Sequence, residues 1–131
     1  KKLKSGTTYD FKVRAYKKVN GCTVYGDFSE EKATTTVPAR VTISSVKAGS
    51  KSATVYWKSV VGATGYRIFY TRDKYFDYAT RVIVKDSKAT SRTIKKLKSG
   101  KKYYFKVRAY KTINGKNVYG SLSKIKSVKV K

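Results

Sequence analysis

The sequence predicts an all-β chain: an antiparallel two-sheet sandwich of seven strands over residues 38–131, preceded by a partial copy over residues 1–37. Three observations predict it. The composition suits a pleated, half-buried surface, with 14% aromatics, 12 Tyr, a single Pro, no Met and many Val, Thr and Ile. Within the apolar runs the period is 2 almost throughout. Finally, residues 1–37 match residues 95–131 at a constant offset of 94, KKLKSGTTYDFKVRAYKKVNGCTVYGDFS against KKLKSGKKYYFKVRAYKTINGKNVYGSLS. A repeat of that length corresponds to one sandwich of about 100 residues. Residues 38–94 have no partner and therefore supply the front half of the second copy.

The boundary falls at Pro38, because Pro cannot donate to a strand ladder and marks an edge or an entry point. Val41, Ile43 and Val46 mark a first strand. Ala53, Val55 and Trp57 mark a second, with Val55 and Trp57 on one face. Residues 66–70 form a third strand, 81–84 a short fourth, and 92–97 a fifth. Residues 103–109 give the clearest strand, the sixth, with Tyr103, Phe105, Val107 and Ala109 inward. Residues 127–130 close the domain. Turn signals sit at Gly49 and Ser50, from Gly62 to Gly65, at Ser99 and Gly100, and at Asn114 and Gly115. The Asn-Gly pair between two alternating runs is a strong hairpin signal. Seven short strands with such turns read as a two-sheet sandwich.

The net charge is +25, from 32 Lys and Arg against 7 Asp and Glu. A charge of that size attracts anionic partners: nucleic acid, an acidic wall polymer or an acidic glycan. It equally describes a solvated surface whose Lys residues keep strand edges from pairing with other chains. No apolar stretch is long enough for a membrane span, so no membrane insertion is expected. The chain opens in what reads as mid-domain, which places any targeting segment upstream. The one cysteine, Cys22, falls in a predicted turn and cannot form an internal disulfide.

Catalytic chemistry finds little to work with. There is no His, hence neither the commonest general base nor the commonest metal ligand. Asp10, Asp27, Glu30, Glu31, Asp73, Asp77 and Asp86 are scattered. Asp73 and Asp77 share a loop, but calcium-loop spacing is missing and the surroundings are basic. No phosphate loop or nucleophile elbow is present. The sequence reads as not an enzyme, with no cofactor and no metal.

The second copy resembles the fibronectin type III family, an immunoglobulin-like sandwich, over all of 38–131, and the first copy resembles it over 1–37. Trp57 stands where family members place a second-strand Trp. The family pattern Leu-x-Pro-Gly-x-x-Tyr-x-Val-x-Val-x-Ala is matched by Leu97, Gly100, Tyr103, Phe105, Val107 and Ala109, with Ser99 in place of the Pro and Phe105 in place of the first Val. Leu3, Gly6, Tyr9, Phe11, Val13 and Ala15 repeat it. Gly100 permits a sharp crossover, and Tyr103 is placed to bury its ring and return its hydroxyl to the crossover backbone. The Lys- and Tyr-rich flavour is similar to tandem modules of secreted or surface proteins of anaerobic Gram-positive bacteria. The loop at Asn114 to Asn117 lacks the Arg-Gly-Asp by which some animal members bind integrins.

What remains as a candidate site is a surface. The sixth strand is expected to present Tyr104, Lys106, Arg108 and Tyr110 outward, and the neighbouring third strand Arg67 and Phe69. Rings and cations then interleave on one sheet face. Two readings stand: a platform that stacks sugars and pairs with acidic polymers, or cross-strand cation–π pairing that stabilises a solvated sheet. The second is the simpler, and Asp10 in place of Tyr104 in the first copy agrees with it. Tyr75, Phe76 and Tyr78 read as an aromatic lid tucked over the sandwich edge.

Residues 1–37 hold too few strands to bury a core alone. They duplicate 95–131, yet a short joint at Pro38 cannot carry them back to the same place in their own sandwich. The expectation is a hairpin projecting from one pole, completed by the front half of its own repeat or by strand exchange or dimerisation with another chain. The functional expectation is a spacer and interaction module in a larger extracellular or cell-surface bacterial protein. Its partners would be neighbouring domains of the same polypeptide and loosely held anionic polymers. A carbohydrate-binding module attached to a glycan-degrading enzyme is the alternative, and charge-driven nucleic-acid binding a weaker one.

Overall fold

The computed structural model describes every residue from Lys1 to Lys131, and all of its regular elements are strands. The first 37 residues contribute four: β1 (Thr8–Phe11), β2 (Tyr16–Val19), β3 (Cys22–Tyr25) and β4 (Lys32–Thr35). β1 pairs with β4 and β2 with β3, both antiparallel. Cys22 lies at the start of β3, just past the turn at Asn20 and Gly21, and its thiol is free and exposed.

The rest of the chain folds as a sandwich. One sheet is β5 (Ile43–Gly49), β6 (Ser52–Trp57) and β9 (Ser91–Lys95), in that order. The other is β8 (Thr80–Val84), β7 (Gly65–Thr71) and β10 (Lys102–Ile113), with β11 (Lys116–Tyr119) and β12 (Lys126–Lys129) both on the far side of β10. The sequence predicts seven strands here and the structure has eight. β11, which follows the Asn114–Gly115 turn, is additional, and the predicted closing strand at 127–130 is β12, separated from β11 by a break in the pairing along β10. Across the break the ladder is carried by single bonds. Gly120 N–H donates to Ala109 C=O at 2.9 Å and Ser123 N–H to Val107 C=O at 2.8 Å. Ser123 Oγ also accepts from Val107 N–H at 2.9 Å.

Alternation produces the core. Ala53, Val55 and Trp57 from one sheet face Ile68, Phe105, Val107 and Ala109 from the other, and Val41, Leu97 and Val130 close the ends. All 15 residues of this core lie between Val41 and Val130. Trp57 packs on Tyr66 with ring centroids 5.3 Å apart, a tilted pair. The Tyr66 hydroxyl accepts from Val60 N–H and donates to Ser87 C=O, at 2.9 and 3.2 Å, tying two loops to the buried ring.

The turns follow their residues. Asn114 and Gly115 have φ of 48° and 77°, positive at both central positions, as a two-residue hairpin that matches strand twist requires. Asn20 and Gly21, at 49° and 77°, repeat it. Gly100 has φ of 71°, and two residues upstream Lys98 N–H donates to the Tyr103 hydroxyl at 3.1 Å, the corner contact that the motif predicts.

The N-terminal segment meets the sandwich at one pole. Pro38 is fully buried, and its carbonyl lies so near Gly120 that a Cβ there would come within 2.5 Å. Gly6 is buried against the loop at Val61 and Gly62, where a Cβ on Gly62 would lie 2.7 Å from Gly6 C=O. Lys111 Nζ donates to the same carbonyl at 2.5 Å.

Candidate functional site

Strand register sets the outward face of the larger sheet. In the β7–β10 pairing Arg67 stands opposite Arg108, Phe69 opposite Lys106, and Thr71 opposite Tyr104. β8 extends the rows, with Ile83 beside Arg67 and Arg81 beside Phe69. The third and sixth strands are thus direct neighbours, and their rings and cations meet on one half-exposed surface.

The contacts are cation–π throughout. Arg67 and Arg108 both lie over the Tyr119 ring, 4.4 and 4.1 Å from its centroid. Arg108 also stands 5.4 Å from the Phe69 centroid. Lys106 sits 4.2 Å over Phe76, and Lys102 5.4 Å over Tyr104. Such pairs contribute about 0.5–1 kcal/mol each when exposed and more when desolvated. Two guanidiniums directly opposite on adjacent strands repel, and the shared ring offsets part of that cost. Burial, and then the neighbouring Arg67, hold Arg108 below its ordinary range, while Tyr119 works in the other direction.

Tyr110 departs from the expectation. It has the outward parity but is buried, because its partner across β7 is Gly65, which leaves room for the ring to lie on bare backbone. A Cβ on Gly65 would sit 2.6 Å from the Tyr110 hydroxyl. Tyr119 closes it from the other side, ring centroids 6.2 Å apart. Tyr110 is thus part of the packing and does not join the half-exposed face of Arg67, Phe69, Tyr104, Lys106 and Arg108.

The loop rings also part company. Only Phe76, with φ of 66°, turns onto the sheet beneath Lys106. Tyr75 and Tyr78 stand 72% and 91% exposed, so they cover nothing. Asp73 shapes this loop: its two carboxylate oxygens accept from Tyr75 and Asp77 N–H at 3.0 and 3.1 Å, which commits them to backbone.

Sequence reasoning missed Tyr119, the ring on which the two arginines converge. The hairpin at Asn114 and Gly115 fixes its place, since a two-residue loop aligns Tyr119 with Tyr110 and so puts both on one face. The repeat carried the same signal, with Arg14 lying 3.7 Å over Tyr25. Charge is unevenly balanced over the chain. Its ion pairs, Lys12 with Glu31 and Lys32 with Glu30, both lie in the first 37 residues, and none involves the sandwich.

Comparison with known proteins gives a family and a fold. A family model described as "Fibronectin type III domain" matches residues 36–120. The FN1–FN3 domains of chicken CNTN1 superpose with a TM-score of 0.60 at 24% identity, covering 98% of this chain and 43% of that one. The sixth fibronectin type III domain of human fibronectin type III domain containing protein 3 gives 0.55 at 20% identity, over 74% of this chain and 89% of that one. In sequence, a Kelch domain-containing protein of Saccharolobus solfataricus is 38% identical over 71 residues, 54% of this chain. This chain spans only 9% of that relative's length.

Proposed function

The chain belongs to the fibronectin type III family, and from that premise we propose that it is a non-catalytic linking module of a longer extracellular or cell-surface bacterial protein. Residues 38–131 are one complete repeat and residues 1–37 the closing strands of the repeat before it. The observation that carries this reading is the joint. The turn at Gly6 is seated on the loop at Val61 and Gly62 and pinned by Lys111, so successive units meet through fitted backbone at the pole. A joint of that kind holds neighbouring domains at a set spacing and angle. The bacterial surface setting rests on the Lys- and Tyr-rich resemblance.

Loose adhesion to anionic polymers is the second part of the reading. It is supported by the charge of +25 and by a sandwich whose cations have no carboxylate partner. Titration with teichoic acid, acidic glycans and DNA over a salt series tests it: binding to every polyanion that falls steeply with salt is expected. Preference for DNA alone would favour nucleic-acid binding. The exposed rings Tyr75 and Tyr78 favour the carbohydrate-binding alternative. Salt-resistant binding to one neutral sugar, lost in Tyr104→Ala or Phe69→Ala, would replace the adhesion reading with that one.

The apolar face of residues 1–37 is completed, in this reading, by the front half of its own repeat. Strand exchange between two copies gains no area, since each hairpin docked on a partner's front half releases another. Light scattering on the 131-residue chain is expected to give a monomer; a stable dimer would mean that the two exposed faces pack on each other.

A further inference from the structure

The adhesion reading treats all cations alike, but two of them are placed unlike the rest. Arg67 and Arg108 face each other across β7 and β10, and both guanidiniums lie on one ring, Tyr119. The Nε of each is buried and donates to no acceptor. Neither guanidinium has a carboxylate within salt-bridge reach. The sequence makes that imbalance systematic, since Asp86 is the last acidic side chain and no Asp or Glu follows from Ser87 to Lys131. In the first copy four acids stand at Asp10, Asp27, Glu30 and Glu31; the same places in the second copy hold Tyr104, Ser121, Lys124 and Ile125. Burial first, and then the facing Arg67, lower the proton affinity of Arg108.

Two planar forks held side by side by strand register and a common ring make a preorganised oxyanion receptor, because rigid guanidiniums lose little freedom on binding. A single carboxylate presents two oxygens in one plane and is satisfied by one fork. A tetrahedral oxyanion has a third oxygen for the second fork. Lys106 and Arg81 lie in the adjacent row, where the next charge of a linear polymer would fall.

We propose that Arg67 and Arg108, stacked on Tyr119, form a binding site for a sulfate or phosphate ester group carried on a linear polymer. This rests on the adhesion reading and adds that the binding is geometric as well as electrostatic. The test uses the full 131-residue chain with dextran sulfate and poly(glycerol phosphate) as probes, near 0.3 M salt, where exposed point charges are largely screened, on the order of a 5–6 Å Debye length. The double variant R67K/R108K keeps the charge and loses the forks, and about a tenfold loss of affinity is expected. The control K85Q/K95Q removes two exposed charges elsewhere and is expected to lose about threefold or less at that salt.

Loss with one probe only identifies the ester that the site takes. Wild-type affinity in R67K/R108K, or a larger loss in K85Q/K95Q, overturns the site and leaves charge-driven adhesion standing. No binding of either probe by the wild type at any salt overturns both. A second measurement is independent of how the variant folds. Inorganic sulfate or phosphate added to the wild-type chain is expected to shift the Arg67 and Arg108 side-chain N–H resonances ahead of those of Arg40, Arg72 and Arg92. Equal shifts at all of them overturn the site.

Discussion

Residues 1–29 and 95–123 are closely similar in sequence, and locally they keep the same hydrogen bonds and turns. Tyr9 accepts from Lys4 N–H at 2.8 Å as Tyr103 does from Lys98 at 3.1 Å. Gly26 N–H reaches Ala15 C=O at 2.9 Å, as Gly120 reaches Ala109. Ser29 bridges Val13 as Ser123 bridges Val107. Yet Phe11 is 44% exposed where Phe105 is 0%, and Val13 is 72% exposed where Val107 is 0%. Hydrogen bonds, turns and even the Arg–Tyr stack follow from the hairpin's own sequence. Burial is supplied by the opposite sheet, which only the second copy has. The pair separates what local chemistry determines from what tertiary packing adds.

Hydrogen exchange should show the widest gap. Amides of β10 are expected to exchange only through global unfolding and those of β1 and β4 through local opening, a difference of about a thousandfold or more in protection. Equal protection would mean that something covers the first copy in solution. Next in size is core truncation, read by urea unfolding. Phe105→Ala is expected to cost about 3–5 kcal/mol, Phe11→Ala under about 1. Gly65→Ala sharpens the comparison differently. Its Cβ would strike Tyr110 and the Val84 carbonyl, so the ring should leave its seat and become exposed as Tyr16 is, at a cost of about 1–3 kcal/mol with a loss of near-ultraviolet dichroism. The smallest effect belongs to the corner hydroxyls. Tyr103→Phe should lower stability by about 1 kcal/mol, and Tyr9→Phe by a few tenths, because water replaces an exposed bond.

Period-2 runs, the repeat and the Asn-Gly turns were enough to place the strands of the sandwich other than β11, because each is a local signal and the inward set at Tyr103, Phe105, Val107 and Ala109 is a strict alternation. The outward set was harder to read. Parity says which way a side chain leaves the strand; whether it stays exposed depends on what lies across the ladder. Tyr110 went under because its neighbour is Gly65, and Tyr119 came into play through the hairpin register, neither visible along a single strand. The loop rings escaped for a related reason. Asp73 spends its carboxylate on backbone amides, fixing a turn that sends Phe76 inward and Tyr75 and Tyr78 to solvent. Such turn chemistry is set by two or three dihedral angles that composition does not encode.

The tight joint at Pro38 also bears on the order of events during synthesis. Residues 1–37 leave the ribosome before 38–94, and 38–94 before 95–131, at about 5–20 residues per second. For some seconds the front half therefore has only the hairpin of residues 1–37 attached ahead of it, and it is the wrong one. Residues 36–42, between the end of β4 at Thr35 and the start of β5 at Ile43, can bridge no more than about 25 Å, whereas β10 at 12 residues spans roughly 40 Å. The early hairpin is held at the pole, out of register with the vacancy, until its duplicate arrives.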